Sequence, residues 1–214
     1  MVYDRHTGAT YVAGDVDYAY ASASVVKVFI ATRLLVDGLA DDPQIQDQMW
    51  RMVTASDDEA ARALYPLAGG EGLAEWISER YHLTGISASP RPGYWGLTRI
   101  TARAMVGFYT AAADDPAVGP WLLEAMGEGT RVGADGFNQY FGLMFTAHHW
   151  RLKQGWMCCL EDRMRMHSTG FVDYDRYAVA LLTEGARDQY YEYGRRTLTL
   201  MAQALMPNGQ VAGS

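Results

Sequence analysis

The sequence predicts a mixed α/β fold: an antiparallel sheet of early and late strands with an inserted helical cluster. Three observations carry this. Two short strand-like runs flank a turn at the start of the chain, segments of helical periodicity fill its middle, and three strand-like runs precede one long helix at its end. With 214 residues, 49% of them hydrophobic and 20% charged, the chain can bury its own core. That balance excludes a disordered chain, a collagen and a long coiled coil.

The elements follow in order. Met1-Val2-Tyr3 and Thr10-Tyr11-Val12 flank Asp4-Arg5-His6-Thr7-Gly8 and read as a hairpin. After the polar stretch Gly14-Asp15-Val16-Asp17, Ser24 opens a helix to about Leu39. Its residues Val25, Val28, Phe29, Thr32 and Leu35 recur close to every 3.6 positions. Asp42-Pro43 is an N-cap with proline at the first helical position, starting a helix to about Val53. Ser56-Asp57-Asp58-Glu59 suits another first turn, and Gly69-Gly70 ends that unit. A further helix spans about Gly72 to Tyr81. Leu83 to Thr98, with Pro90-Arg91-Pro92-Gly93, Tyr94 and Trp95, reads as a long ordered loop, and such loops often carry function. Thr101 caps a helix to about Ala113, and Pro116 to Met126 is a short amphipathic one. Arg151 to Leu160, Met164 to Val172 and Tyr177 to Thr183 read as strands, and Ala186 to Met206 as the closing helix, ended by Pro207-Asn208-Gly209. The expectation is one domain over 1–214, with a sheet subregion at about 1–20 and 146–214, a helical one at about 21–145, and a cleft where they meet.

Eighteen basic against 25 acidic residues give a net charge of −7, which disfavours nucleic acid as a partner. No apolar run reaches the roughly 18 residues of a membrane span, because Lys27 and Arg33 interrupt Val25 to Leu35. Cys158 and Cys159 are expected as reduced thiols on opposite faces of a strand. Zinc spacing is absent, so no metal and no cofactor are expected. Met1 runs straight into Val2-Tyr3-Asp4-Arg5, without the pattern of a signal peptide.

Three short motifs carry chemistry. Ser24-Val25-Val26-Lys27 sits at a helix start, where residues three apart share a face. A serine hydroxyl needs a base to become a nucleophile, and a lysine depressed by burial or neighbouring charge can be that base. The helix N-terminus adds positive potential for a developing oxyanion. Average composition supplies roughly one Ser-x-x-Lys in a chain of this size, so the motif alone is weak. The apolar neighbours Val25, Val26, Val28 and Phe29 point to a buried face. Ser56-Asp57-Asp58 stands at a second helix start, and Lys153-Gln154-Gly155-Trp156 heads an apolar strand.

In this order the motifs resemble the Ser-x-x-Lys, Ser-Asp-Asn and Lys-Thr-Gly set of class A β-lactamases and penicillin-binding proteins, and the likeness extends over nearly the whole chain. The resemblance implies a β-lactamase/transpeptidase-like fold with Ser24 as acyl-accepting nucleophile and Lys27 as its base or orienting residue. It implies Ser56 as proton shuttle toward the leaving group, and Lys153 as the residue setting the electrostatics around Ser56. The Ser24 and Trp156 backbone N–H groups would form the oxyanion hole beside Gly155, and Arg176 would help bind a carboxylate. It also implies export and a small-molecule or peptide substrate.

Three departures qualify it. The family's β-lactamases hold a water-activating glutamate in a loop after the second motif, yet no Asp or Glu occurs between Arg80 and Ala113. The second motif ends in Asp58, which when ionised only accepts hydrogen bonds and favours a charged Lys27. Gln154 replaces a threonine that binds substrate carboxylate. The expected function is therefore a serine hydrolase or acyltransferase working through an acyl-serine on a peptide, amide or ester, with poor β-lactam hydrolysis. The alternatives are a catalytically weak or inactive binding or accessory protein, and an unrelated α/β domain.

Overall fold

The computed structural model describes residues 1–211. Residues 212–214 of the expected 1–214 unit lie outside the described residues. The first strands are β1 (Val2–Asp4), β2 (Thr10–Tyr11) and β3 (Tyr20–Ala21). A 3₁₀ turn over Ala23–Val26 leads into α1 (Lys27–Val36), followed by α2 (Pro43–Thr54), α3 (Asp58–Leu67) and α4 (Leu73–Arg80). Strands β4 (Ile86–Ser87) and β5 (Arg99–Ile100) precede α5 (Ala102–Asp114), α6 (Gly119–Gly127) and the one-turn α7 (Leu143–Thr146). The chain closes with β6 (Trp150–Met157), β7 (Arg163–Val172), β8 (Tyr177–Ala186) and α8 (Tyr190–Leu205).

Early and late strands join in one five-stranded antiparallel sheet of order β2-β1-β8-β7-β6. The pleat of β7 sorts its side chains. Met164, Met166 and Val172 pack with Leu198, Ala202 and Met206 on the α8 side, whereas Phe171 joins the core under the helices. Helix α1 is apolar nearly all round, with Val28, Phe29, Ile30, Ala31 and Leu34 fully buried, as a helix enclosed by others must be. The caps read from sequence form. Asp42 accepts from Gln44 and Ile45 N–H, Asp57 from Glu59 and Ala60, and Thr101 from Ala104.

Three expectations are corrected. The stretch from Leu83 is not loop throughout, because β4 and β5 pair with β3 in a second, three-stranded sheet. The closing helix starts at Tyr190 rather than Ala186, because β8 runs on to Ala186, whose N–H is taken by Gln189 Oε1. Cys158 and Cys159 are not opposed thiols on a strand. Pairing of β6 ends at Met157 opposite Arg165, and both cysteines lie in the turn beyond.

Gly170 sits mid-strand at φ +136°, where an added Cβ would overlap the Arg151 carbonyl oxygen and crowd Met126 and Leu152. Gly170→Ala is expected to cost about 2–4 kcal/mol of stability, from overpacking and backbone strain together. Urea denaturation checks this, and an unchanged midpoint would show that the sheet yields freely there.

Candidate active site

The site is assembled where β3 feeds α1 beneath the edge strand β6. Ser22 N–H donates to Thr98 O at 2.8 Å, and His167 Nε2 lies 2.8 Å from Ala21 O. Thr183 N–H donates to His167 Nδ1 at 3.4 Å, which assigns the ring proton to Nε2 and makes that nitrogen the donor to Ala21. Burial pushes the His167 pKa down to about 4. The chain then bends through Ala23 at φ 48°, a left-handed conformation that an alanine adopts only at a cost of about 1 kcal/mol or more. The bend sets Ser24 at the head of the helix. Gly155 lets β6 approach this turn, since a Cβ there would come 2.9 Å from Val25 Cγ2 and 3.2 Å from Ser22 O.

Lys27, one helical turn on, is fully buried. Its Nζ donates to Ser56 O at 2.6 Å, Ser56 Oγ at 3.2 Å and Asp58 Oδ1 at 2.5 Å, so the three protons of the ammonium form are all engaged. Ser56 takes φ 56°, which turns its carbonyl and its hydroxyl toward the lysine at the junction of α2 and α3. Lys153 reaches the same hydroxyl from β6, with Nζ 2.9 Å from Ser56 Oγ and 3.0 Å from Gln154 O. Accepting from two lysines leaves the Ser56 proton free to donate elsewhere. Thr169 Oγ1 holds the Lys153 carbonyl at 2.9 Å and meets Tyr109 OH at 2.8 Å, which ties the strand to α5.

Both lysines are held below the ordinary lysine pKa. For Lys27 burial is the main cause, opposed by the charge and hydrogen bond of Asp58. Lys153 is pushed well below by burial and then by the charge of Lys27. Asp58 therefore does favour the charged lysine, but desolvation outweighs it.

Ser24 Oγ has no hydrogen-bond partner among the described residues and faces a cleft of about 360 Å³. The cleft walls include Asp58, Tyr94, Trp95, Trp156 and Leu160. Lys27, Ser56 and Lys153 are buried beneath it, and Lys27 meets its wall at Asp58. The Trp95 ring sits over Lys27, with its centroid 5.0 Å from Nζ.

The structure thus brings together Lys27, Ser56, Asp58 and Lys153, and places Ser24 with Asp58 and Trp156 on the cleft wall without a hydrogen bond to Lys27 or Ser56. Two expected substrate contacts are corrected. Gln154 lies on the opposite face of β6 from Lys153, by the two-residue period of a strand, and its amide donates to the carbonyls of Gln139 and Phe141. It anchors the loop after α6 rather than facing the cleft. Arg176 stands in the β7–β8 turn at the far end of the sheet and is paired with buried Asp4 at 2.8 Å. Its guanidinium holds the Asp4 carboxyl well below the usual carboxylate range.

Sequence reasoning passed over Asp135, which accepts from Trp156 Nε1 at 2.9 Å, and His167. It also passed over a signal that would have strengthened the site. Lys27 and Lys153 are the only lysines in the chain, so every basic surface residue is an arginine.

No family model matches the chain. Among curated proteins it is 29% identical over 221 residues to the protein named "Putative lipoprotein LppW" of Mycobacterium tuberculosis and of Mycobacterium bovis, covering 98% of this chain and 69% of theirs. Among solved structures it superposes on the TLA-3 extended-spectrum β-lactamase with a TM-score of 0.75, covering 96% of this chain and 90% of that one at 11% identity. The class A β-lactamase of Mycobacterium abscessus gives 0.74, with 94% and 89% coverage at 13% identity. A β-lactamase of Burkholderia vietnamiensis gives 0.74, with 99% and 90% coverage at 13% identity. The chain has the fold of the class A β-lactamases.

Two outcomes are expected from these contacts. The buried His167 must be neutral in the folded protein and protonates near pH 6.5 when unfolded. Its contribution to stability is complete above pH 6.5 and is lost as pH falls toward 4, on the order of 3 kcal/mol in all. His167→Gln, which keeps a donor for Ala21, is expected to lose less stability than wild type between pH 7 and 4 in urea titrations. Equal losses would place the acid sensitivity elsewhere. Asp58→Asn removes the charge that raises the Lys27 pKa, so the pH profile of Ser24 labelling by a fluorophosphonate should shift to lower pH. Labelling at pH 6 to 7 should be faster than in wild type, and an unchanged pH profile would reduce Asp58 to a helix-start residue.

Proposed function

We propose that the protein is a serine hydrolase or acyltransferase that forms an acyl-Ser24 intermediate from a peptide, amide or ester, with poor hydrolysis of β-lactams. The observation that carries this reading is the convergence of two buried lysines on one serine hydroxyl beneath an unpaired serine in a cleft. Such a network has little structural purpose, because burying two ammonium groups side by side is costly.

In the proposed reaction Ser24 Oγ attacks the acyl carbon and its proton passes to neutral Lys27. The carbonyl oxygen draws on the Ser24 and Trp156 N–H groups. The bond to the leaving group breaks, and the leaving atom takes the Ser56 proton, which the lysines replace. Water or an amine then releases the acyl group. With Trp95 over Lys27 no loop carboxylate activates that water, so release is the slow step. The resemblance and the lipoprotein name of the relatives support a place in the cell envelope.

One observation favours the second reading, a weak or inactive binding protein. Charged Lys27 has every proton committed to Ser56 and Asp58 and offers no lone pair to Ser24. Intact mass after separate exposure to a fluorophosphonate and a penicillin discriminates. The expected result is one adduct per chain with each, absent in Ser24→Ala, and a penicilloyl adduct that outlives its formation, with release about 10²–10⁴-fold slower than with a positioned base. No adduct with either reagent would sink the enzyme reading.

A further inference from the structure

The groups that face the cleft point to a charge preference. Asp58 is the carboxylate on its wall, with its side chain 57% exposed even while bound to Lys27. Its aromatic neighbours are Tyr94, about half exposed, and Trp95. The positive groups of the cleft are buried or paired, and Arg91, unpaired among the described residues, lies outside it, over Tyr94. Lys27 and Lys153 are buried and bound to Ser56. Arg62, at the rim, is paired with Glu59. Arg99 and Arg165, behind Leu160, are held by Glu161 and Glu184 at 2.6–2.9 Å. Gln154 and Arg176, where a carboxylate contact was expected, are turned away or paired with Asp4. Asp135 adds a second negative group beside Trp156.

Resting on the acyl-serine reading above, we infer that this cleft selects acyl groups ending in a protonated amine, received by Asp58 beside Tyr94 and Trp95, and disfavours acyl groups ending in a carboxylate. An ammonium beside an exposed carboxylate and an aromatic face gains both ion-pair and cation–π attraction. A carboxylate brought there meets the like charge of the exposed Asp58. The geometry couples recognition to chemistry. Asp58 accepts from Lys27, so a substrate ammonium taking up that carboxylate weakens the hold on the lysine proton and frees Nζ for Ser24. Lys27 itself sets the scale, since its own chain spans from the Ser24 turn to Asp58. An acyl chain about as long as a lysine side chain therefore has the needed reach.

The test uses three 4-nitrophenyl esters of near-equal length, those of 6-aminohexanoate, heptanoate and adipate (one carboxyl free). Release of nitrophenol is measured for wild type, with Ser24→Ala as background. The expected order of kcat/KM is amino over neutral over carboxyl, with at least a tenfold span between the extremes. Asp58→Asn should compress that span several-fold. Because the preference is a ratio within one protein, a variant that folds poorly does not decide it. Ser24-dependent turnover with a flat or reversed order overturns the charge preference and leaves the acyl-serine reading standing. No Ser24-dependent turnover with any of the three, together with no fluorophosphonate adduct, overturns both.

Discussion

Two lysine side chains converge on the hydroxyl of Ser56 inside the protein, and the rest of the site follows from that contact. Lys27 and Lys153 come from elements 126 positions apart, and each lies within 3.2 Å of the same oxygen. Holding two such groups out of water is unfavourable unless hydrogen bonds and nearby negative charge compensate. Asp58 supplies that charge to one lysine directly, and backbone carbonyls of Ser56 and Gln154 supply the remaining acceptors. The sheet and the helical cluster must therefore close on each other with little tolerance. The bend at Ala23, the approach of Gly155 to Val25 and the grip of His167 on Ala21 serve that closure.

The same contact shapes reactivity. The electrostatic balance at Lys27 is a competition between burial and Asp58, and burial prevails. A proton is therefore loosely held on a lysine one helical turn from an unpaired serine. Trp95 covers Lys27 on one side, with its ring centroid 5.0 Å from Nζ. The fold is that of class A β-lactamases, but the sequence departs from the family motifs at Asp58, at Gln154 and along the long loop.

Much of this was legible in the sequence, for local reasons. Capping residues such as Asp42 and Thr101 announce their helices through their own backbone contacts, and the three late strands are set off by the acidic runs Glu161-Asp162 and Asp173-Tyr174-Asp175. The Ser24–Lys27 spacing is a one-turn relation that any helix satisfies. What escaped depends on distant pairing. The strands β3, β4 and β5 are two residues each and exist only because remote segments meet. The misplacement of Gln154 reflects its side-chain partners, the carbonyls of Gln139 and Phe141, which come from a segment 13 to 15 positions away. Arg176 was drawn to the site by motif order alone. Its true partner, Asp4, lies 172 positions away and is adjacent only because β1 pairs with β8.

The scarcity of lysine makes the central contact directly observable. A protein labelled with ¹³C at lysine Cε gives two side-chain signals, both from the site, and Lys153→Arg assigns them. Their titration reads the two coupled protonations without interference from any surface lysine. The expected result is that both fall below the ordinary lysine value, with Lys153 the lower of the two, and that Asp58→Asn lowers Lys27 further. Two signals titrating at or above the ordinary value would contradict the convergence of two buried lysines on Ser56.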